Sequence, residues 1–229
     1  MSDLWRQMAV ARAIATKDLR AEVRGRQAVT TTLFLAAVTL LVFGFALGPD
    51  RARLAEAGPG LLWLAVVLSG VLALGRLHQS ETEDGAFEVL ATYPVSRAAI
   101  YAGKAAGGVA AMLALGAVVI PLTVILYGVD IGPALPGLVV ILALGAVGLA
   151  AVGTLYAGLT VRLRAREVLL PLLLLPVVAP LLLAAVSATT AVLAGDPLRE
   201  LAAWLQLLAG YDVAMLLAGG LTYGLALEE

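Results

Sequence analysis

Six long apolar runs, separated by charged or turn-forming residues, constrain this chain more than any other feature. They cover about residues 28–48, 60–75, 100–128, 134–161, 168–194 and 201–227. A helix crossing a bilayer needs roughly 20 mainly apolar residues, so the expected fold is all-α, with six transmembrane helices. The second run is the shortest, but no charge falls between Glu56 and Arg76, so it can also span. Composition agrees: the chain is 62% hydrophobic and 14% charged, where soluble domains carry about 45–50% apolar and about 25% charged residues. Residues 1–229 therefore read as one transmembrane domain with little soluble mass. The fourth to sixth runs exceed the need, which predicts tilt or kinks. In the fifth, Pro171, Pro176 and Pro180 are expected to interrupt the backbone ladder and to require neighbours for the freed carbonyls.

Lys and Arg in the short loops set orientation. With the amino terminus inside, twelve basic residues lie on the cytoplasmic side: Arg6, Arg12, Lys17, Arg20, Arg24, Arg26, Arg76, Arg97, Lys104, Arg162, Arg164 and Arg166. Only Arg51, Arg53 and Arg199 lie outside, so both termini are expected to be cytoplasmic. The first run follows a charged segment and is long enough to span, so it is read as a membrane helix rather than a cleaved signal peptide. The net charge of −1 says nothing about nucleic acid or acidic substrates, so only the distribution of charge is informative; no nucleic-acid partner is expected. The absence of cysteine removes disulfides, thiolate metal sites and cysteine nucleophiles together.

Two polar segments carry more pattern than a linker needs. Residues 3–24 place Trp5, Met8, Leu19 and Val23 in one helical sector, with Arg6, Lys17, Arg20 and Arg24 on its flank. That is the pattern of an interfacial helix, and equally of a cytoplasmic helix packed on a partner protein. Arg12 falls inside the apolar sector, where its guanidinium can snorkel. In residues 79–104, Ser80-Glu81-Thr82-Glu83 has the form of a capping box. A short helix over about 81–92 should begin there, carry Phe87 and Leu90, and stop at Tyr93-Pro94. Ser96 should then cap the third span. Phe87 and Leu90 suit a groove on another protein; they also suit the lipid surface or the chain's own helix ends. Small residues spaced along the spans, among them Gly103 and Gly107, Gly220 and Gly224, and five glycines in the fourth run, predict close helix contact. They fit intrachain packing and dimerisation alike.

The second segment resembles the first cytoplasmic loop of ABC-2-type transporter permeases, through Glu83, Asp84, Gly85, Glu88, Leu90, Pro94, Val95, Ser96, Arg97, Gly103 and Lys104. Together with Lys17-Asp18-Leu19-Arg20-Ala21-Glu22-Val23-Arg24, it is similar to the CcmB family, the haem exporter B subunits of cytochrome c maturation. The resemblance extends over nearly the whole chain in layout, and over these two segments in specific residues. It implies a permease subunit, not itself an enzyme, in the bacterial cytoplasmic (inner) membrane. It also implies a separate CcmA-like ATPase, membrane partners resembling CcmC and CcmD, and indirectly a CcmE-like haem chaperone. The ATPase would meet Glu81, Glu83, Asp84, Gly85, Phe87, Glu88, Leu90 and Arg97, with the amino-terminal helix beside it. ATP would be used by the partner; haem would be a handled ligand rather than a resident cofactor.

The chain has no phosphate loop, since Gly103-Lys104 lacks the preceding glycines and opens a membrane helix. Its single histidine, His78, reads as an ordinary residue at the end of a span. Met112, Met215 and the tyrosines are formal haem-ligand types with nothing else to mark them. Glu167 follows Arg162, Arg164 and Arg166 and suits solvated ion pairs. Asp212 is the one acid deep in an apolar run. It suits a proton path, a subunit contact or a polar pocket, or a place near the interface if the helix breaks. The alternatives are therefore an ABC-2 exporter of lipid-linked or peptide cargo, and a secondary transporter coupled through Asp212. No internal repeat supports the latter. An intramembrane hydrolase lacks any Ser–His or paired-Asp arrangement within the spans.

Overall fold

The computed structural model describes residues 7–17, 26–83, 96–160, 166–195 and 198–222, and every regular element among them is a helix. A short helix α1 covers residues 7–17. The long helices are α2 (Arg26–Leu47), α3 (Arg51–Glu83), α4 (Arg97–Tyr127), α5 (Leu135–Thr160), α6 (Arg166–Leu193) and α7 (Leu198–Thr222). All six long helices are long and apolar enough to cross a membrane, as the run lengths require. The expected all-α membrane fold is the fold found.

Helix α5 is the hub. It packs against α3, α4, α6 and α7, while α2 lies on α3 and α4 at one side. The glycines of α5 explain this crowding. Gly145 lies under the Trp63 ring of α3, Gly153 under Leu74 of α3, and Gly137 under Val192 of α6. Without a hydrophobic force between helices in lipid, such close approach supplies the dispersion contacts that hold a bundle together. These small residues therefore serve contacts within the chain.

Buried hydroxyl and indole groups tie the helices across the gaps. Trp63 Nε1 donates to Thr189 Oγ1 at 2.9 Å, and that hydroxyl donates to the Ala185 carbonyl at 2.7 Å. The Tyr127 hydroxyl donates to the Leu40 carbonyl at 2.7 Å, joining α4 to α2.

Two elements depart from expectation. Helix α3 starts at Arg51, nine residues before the expected span, and passes through Pro59 without ending. Asp50 is the reason for the early start: its Oδ1 accepts from the backbone of Ala52 at 3.0 Å and of Arg53 at 3.4 Å, satisfying donors that open a helix. At the other end α3 runs on to Glu83. Ser80 therefore does not open a new helix; Glu81 and Glu83 belong to the last described turn of the second span. Propensity and cap chemistry pointed to a start there, but a helix already propagating adds residues without a fresh nucleation cost. The remainder of the expected short helix lies outside the described residues. Helix α6, likewise, continues through all three prolines. The Tyr211 hydroxyl donates to the Val177 carbonyl at 2.8 Å, three positions before Pro180, whereas the carbonyl that Pro180 frees is that of Pro176.

Candidate functional site

The end of the bundle where α1 lies gathers most of the residues of interest. Ser96 has extended backbone angles (φ −65°, ψ 134°) and its side chain accepts from the Ala99 N–H at 3.3 Å, so α4 begins at the expected cap. Arg97 is its first residue and is half-buried. Six positions further in, Gly103 receives α1. A Cβ on Gly103 would stand 2.8 Å from the Ala11 carbonyl oxygen and 3.0 Å from Ile14 Cβ, so only glycine lets the two backbones come this close. Ile14 is buried there with Ile100 and Tyr101, and Val10 and Leu155 pack around them.

Helix α1 therefore has a protein-facing side made of Val10 and Ile14, and an exposed side that includes Met8, Arg12 and Lys17. Met8 and Arg12 are exposed, off the face that meets the bundle. Trp5, Arg6, Arg20 and Arg24 lie outside the described residues, as do Asp84, Gly85, Phe87, Glu88 and Leu90. Lys104, expected where the third span leaves the cytoplasmic face, is fully enclosed at 0% exposure.

Tyr101 joins this end to the interior. Its hydroxyl lies 3.0 Å from the Ala151 carbonyl of α5 and 3.3 Å from the Met215 carbonyl of α7, and its ring rests on Gly219 of α7. A single side chain of α4 thus touches the backbones of both neighbours. Nothing in the local sequence distinguishes Tyr101 from the other tyrosines; the partners stand 50 and 114 residues away.

Asp212 lies one turn before Met215 on α7. The helix is unbroken, so the residue is not carried to an interface. Fourteen positions separate it from Leu198 and ten from Thr222, about 21 Å and about 15 Å along the axis. It is 4% exposed, which excludes a direct contact with another subunit in this packing. Both carboxyl oxygens are buried without a hydrogen-bond partner. Gly148 of α5 faces it: a Cβ there would lie 2.6 Å from Asp212 Oδ1 and 3.3 Å from the Tyr211 ring. Orphaned polar atoms of this kind are costly in a protein interior and costlier in lipid.

Among the described residues, no three His, Cys, Asp or Glu side chains gather into a metal-binding group. Tyr101, Tyr127 and Tyr211 direct their hydroxyls at backbone carbonyls. Met112 is buried with its sulfur against Gly70. These side chains link and fill the bundle.

Residues 8–229 match the family described as CcmB protein. Among curated proteins, heme exporter protein B of Rhodobacter capsulatus is 38% identical over 75% of this chain and 78% of its own length. The heme exporter protein B of Paracoccus denitrificans is 36% identical over 83% of this chain and 87% of its own. That of Bradyrhizobium diazoefficiens is 33% identical, covering 80% and 82%. The six spanning helices, the capped entry to α4 and a match over nearly the full sequence agree: this chain belongs to the CcmB family.

Proposed function

We propose that the chain is the membrane permease subunit of an ABC-type complex, in which a separate cytoplasmic ATPase docks on residues 81–92 and drives haem export or the release of a haem-loaded chaperone. The observation that carries this reading is how that segment is held. Helix α3 continues seven residues past Arg76, the end of its membrane-spanning part, about 10 Å at the helical rise. Helix α4 restarts at the capped Ser96. The twelve residues 84–95 are thus flanked by two long helices, so a partner bound there is joined through the chain to both α3 and α4. Helix α1, seated on Gly103, braces the same end.

The excess of Lys and Arg supports a cytoplasmic orientation for this end of the bundle. Haem enters the reading through the relatives, which are named heme exporter protein B. It is cargo here, with no role as a resident cofactor. Membrane partners resembling CcmC and CcmD, and a CcmE-like chaperone, follow from the same family reading.

Replacing Phe87 and Leu90 together with Asp should abolish recovery of the ATPase with the tagged chain, while insertion into the membrane is retained. Undiminished ATPase recovery would remove the docking assignment.

A further inference from the structure

We propose that the cleft between α2, α3 and α4, at the end of the bundle remote from α1, seats one anionic phospholipid. Its cavity holds about 370 Å³ and is lined chiefly by Leu40, Leu41, Gly44 and Phe45 of α2, Leu54 of α3 and Tyr127 of α4. The lining runs along α2 from Leu40 to Gly48, eight positions or about 12 Å. That is close to half of a hydrocarbon core of about 30 Å, so the cleft matches the depth of one leaflet. Phe45 and Leu41 are exposed along it, and in a spanning bundle that surface faces lipid.

The walls ask for no hydrogen bonds. The one hydroxyl at the back, on Tyr127, already donates to the Leu40 carbonyl at 2.7 Å. Gly44 sets the width, because a Cβ there would stand 3.1 Å from the Tyr127 ring. An acyl chain is the occupant such a lining fits.

The mouth supplies the head-group chemistry. Arg51 precedes Leu54 by three positions and Gly58 by seven, so the three share one face of α3. Leu54 lines the cleft and Gly58 packs on Tyr127 and Val129, which puts Arg51 at the opening, where it is exposed. Of the other charges at this end, Arg53 Nε lies 3.3 Å from Asp50 Oδ2, Asp50 Oδ1 accepts from the α3 backbone, Asp130 Oδ1 accepts from the Gly132 N–H at 3.1 Å, and Glu56 follows Arg51 by five positions, on another face of α3. That leaves the Arg51 guanidinium as the cation facing the head group. Its planar fork matches a phosphate in two-point contact, and the guanidinium favours an anionic head group over a zwitterionic one whose cation it repels.

The test uses the full chain, purified in a mild detergent and titrated with phosphatidylglycerol or phosphatidylcholine of the same acyl length, with bound lipid counted by native mass spectrometry. The wild type should retain one phosphatidylglycerol in preference to phosphatidylcholine. Arg51→Ala, an exposed change that leaves packing intact, should lower phosphatidylglycerol occupancy several-fold, to the phosphatidylcholine level. Gly44→Leu, which fills the cleft, should remove both. Equal retention of the two lipids by the wild type overturns the proposal. So does retention unchanged in Arg51→Ala, or the finding that a co-purified protein helix covers the cleft instead.

Discussion

Asp212 and Gly148 lie 64 positions apart in sequence and meet at the middle of the bundle. The acid was legible in the sequence because it interrupts an apolar run. Its surroundings were not, since a glycine in α5 has no local mark that names its neighbour in α7. The geometry predicts an unusual sign. Removing a buried carboxyl that has no partner spares a desolvation penalty of about 1–3 kcal/mol, so Asp212→Ala should raise the thermal unfolding midpoint. Gly148→Ala should lower stability by about 1–3 kcal/mol through overpacking. In the double variant, the cost of Gly148→Ala should fall by the part owed to Asp212, a coupling that a double-mutant cycle reads directly. A large loss of stability in Asp212→Ala would mean that the carboxyl has a partner after all.

Helices α3 and α6 show where sequence reasoning about elements succeeds and where tertiary context overrides it. The length of the apolar runs placed all six spans, because a bilayer imposes one thickness on each of them. The ends of α3 were misplaced for physical reasons. The second apolar run begins at residue 60, yet the helix starts at Arg51 and Pro59 sits buried inside it. Ser80-Glu81-Thr82-Glu83 looks like a start, yet it continues a helix already under way. The same logic applies to the prolines of α6, which lie within a continuous helix braced by Tyr211. Continuity of α3 through Ser80 has a measurable consequence. A proline in a helix interior costs about 3 kcal/mol, so Ser80→Pro should cut amide hydrogen-exchange protection over residues 77–83 by about two orders of magnitude. If Ser80 opened a separate helix, proline near that start would be tolerated, and the exchange pattern would hardly change.

Across the whole molecule, the described architecture reads as a hub and a brace. Helix α5 gives the hub through its glycines, Tyr101 ties α4 to α5 and α7, and α1 braces the entrance of α4 at Gly103. The spans and the Ser96 cap were readable from the chain itself. The small-residue spacing was readable too, though not the partners it serves. The place of α1 against α4 was not, because helix packing across 90 residues leaves no local pattern. Gly103 illustrates this: its spacing from Gly107 predicts close helix contact, and only the fold names α1 as the partner.

The central claim is that an external ATPase acts at residues 81–92. Because the chain contains no cysteine, a single Glu88→Cys substitution gives a unique reactive site within that segment. A short bifunctional cross-linker applied to membranes containing the assembled complex should join this cysteine to the ATPase subunit. A cysteine at Phe45, at the opposite end of α2, should not react with it. Cross-linking of Glu88→Cys only to lipid or to its own chain, with the ATPase present and bound, would contradict the account.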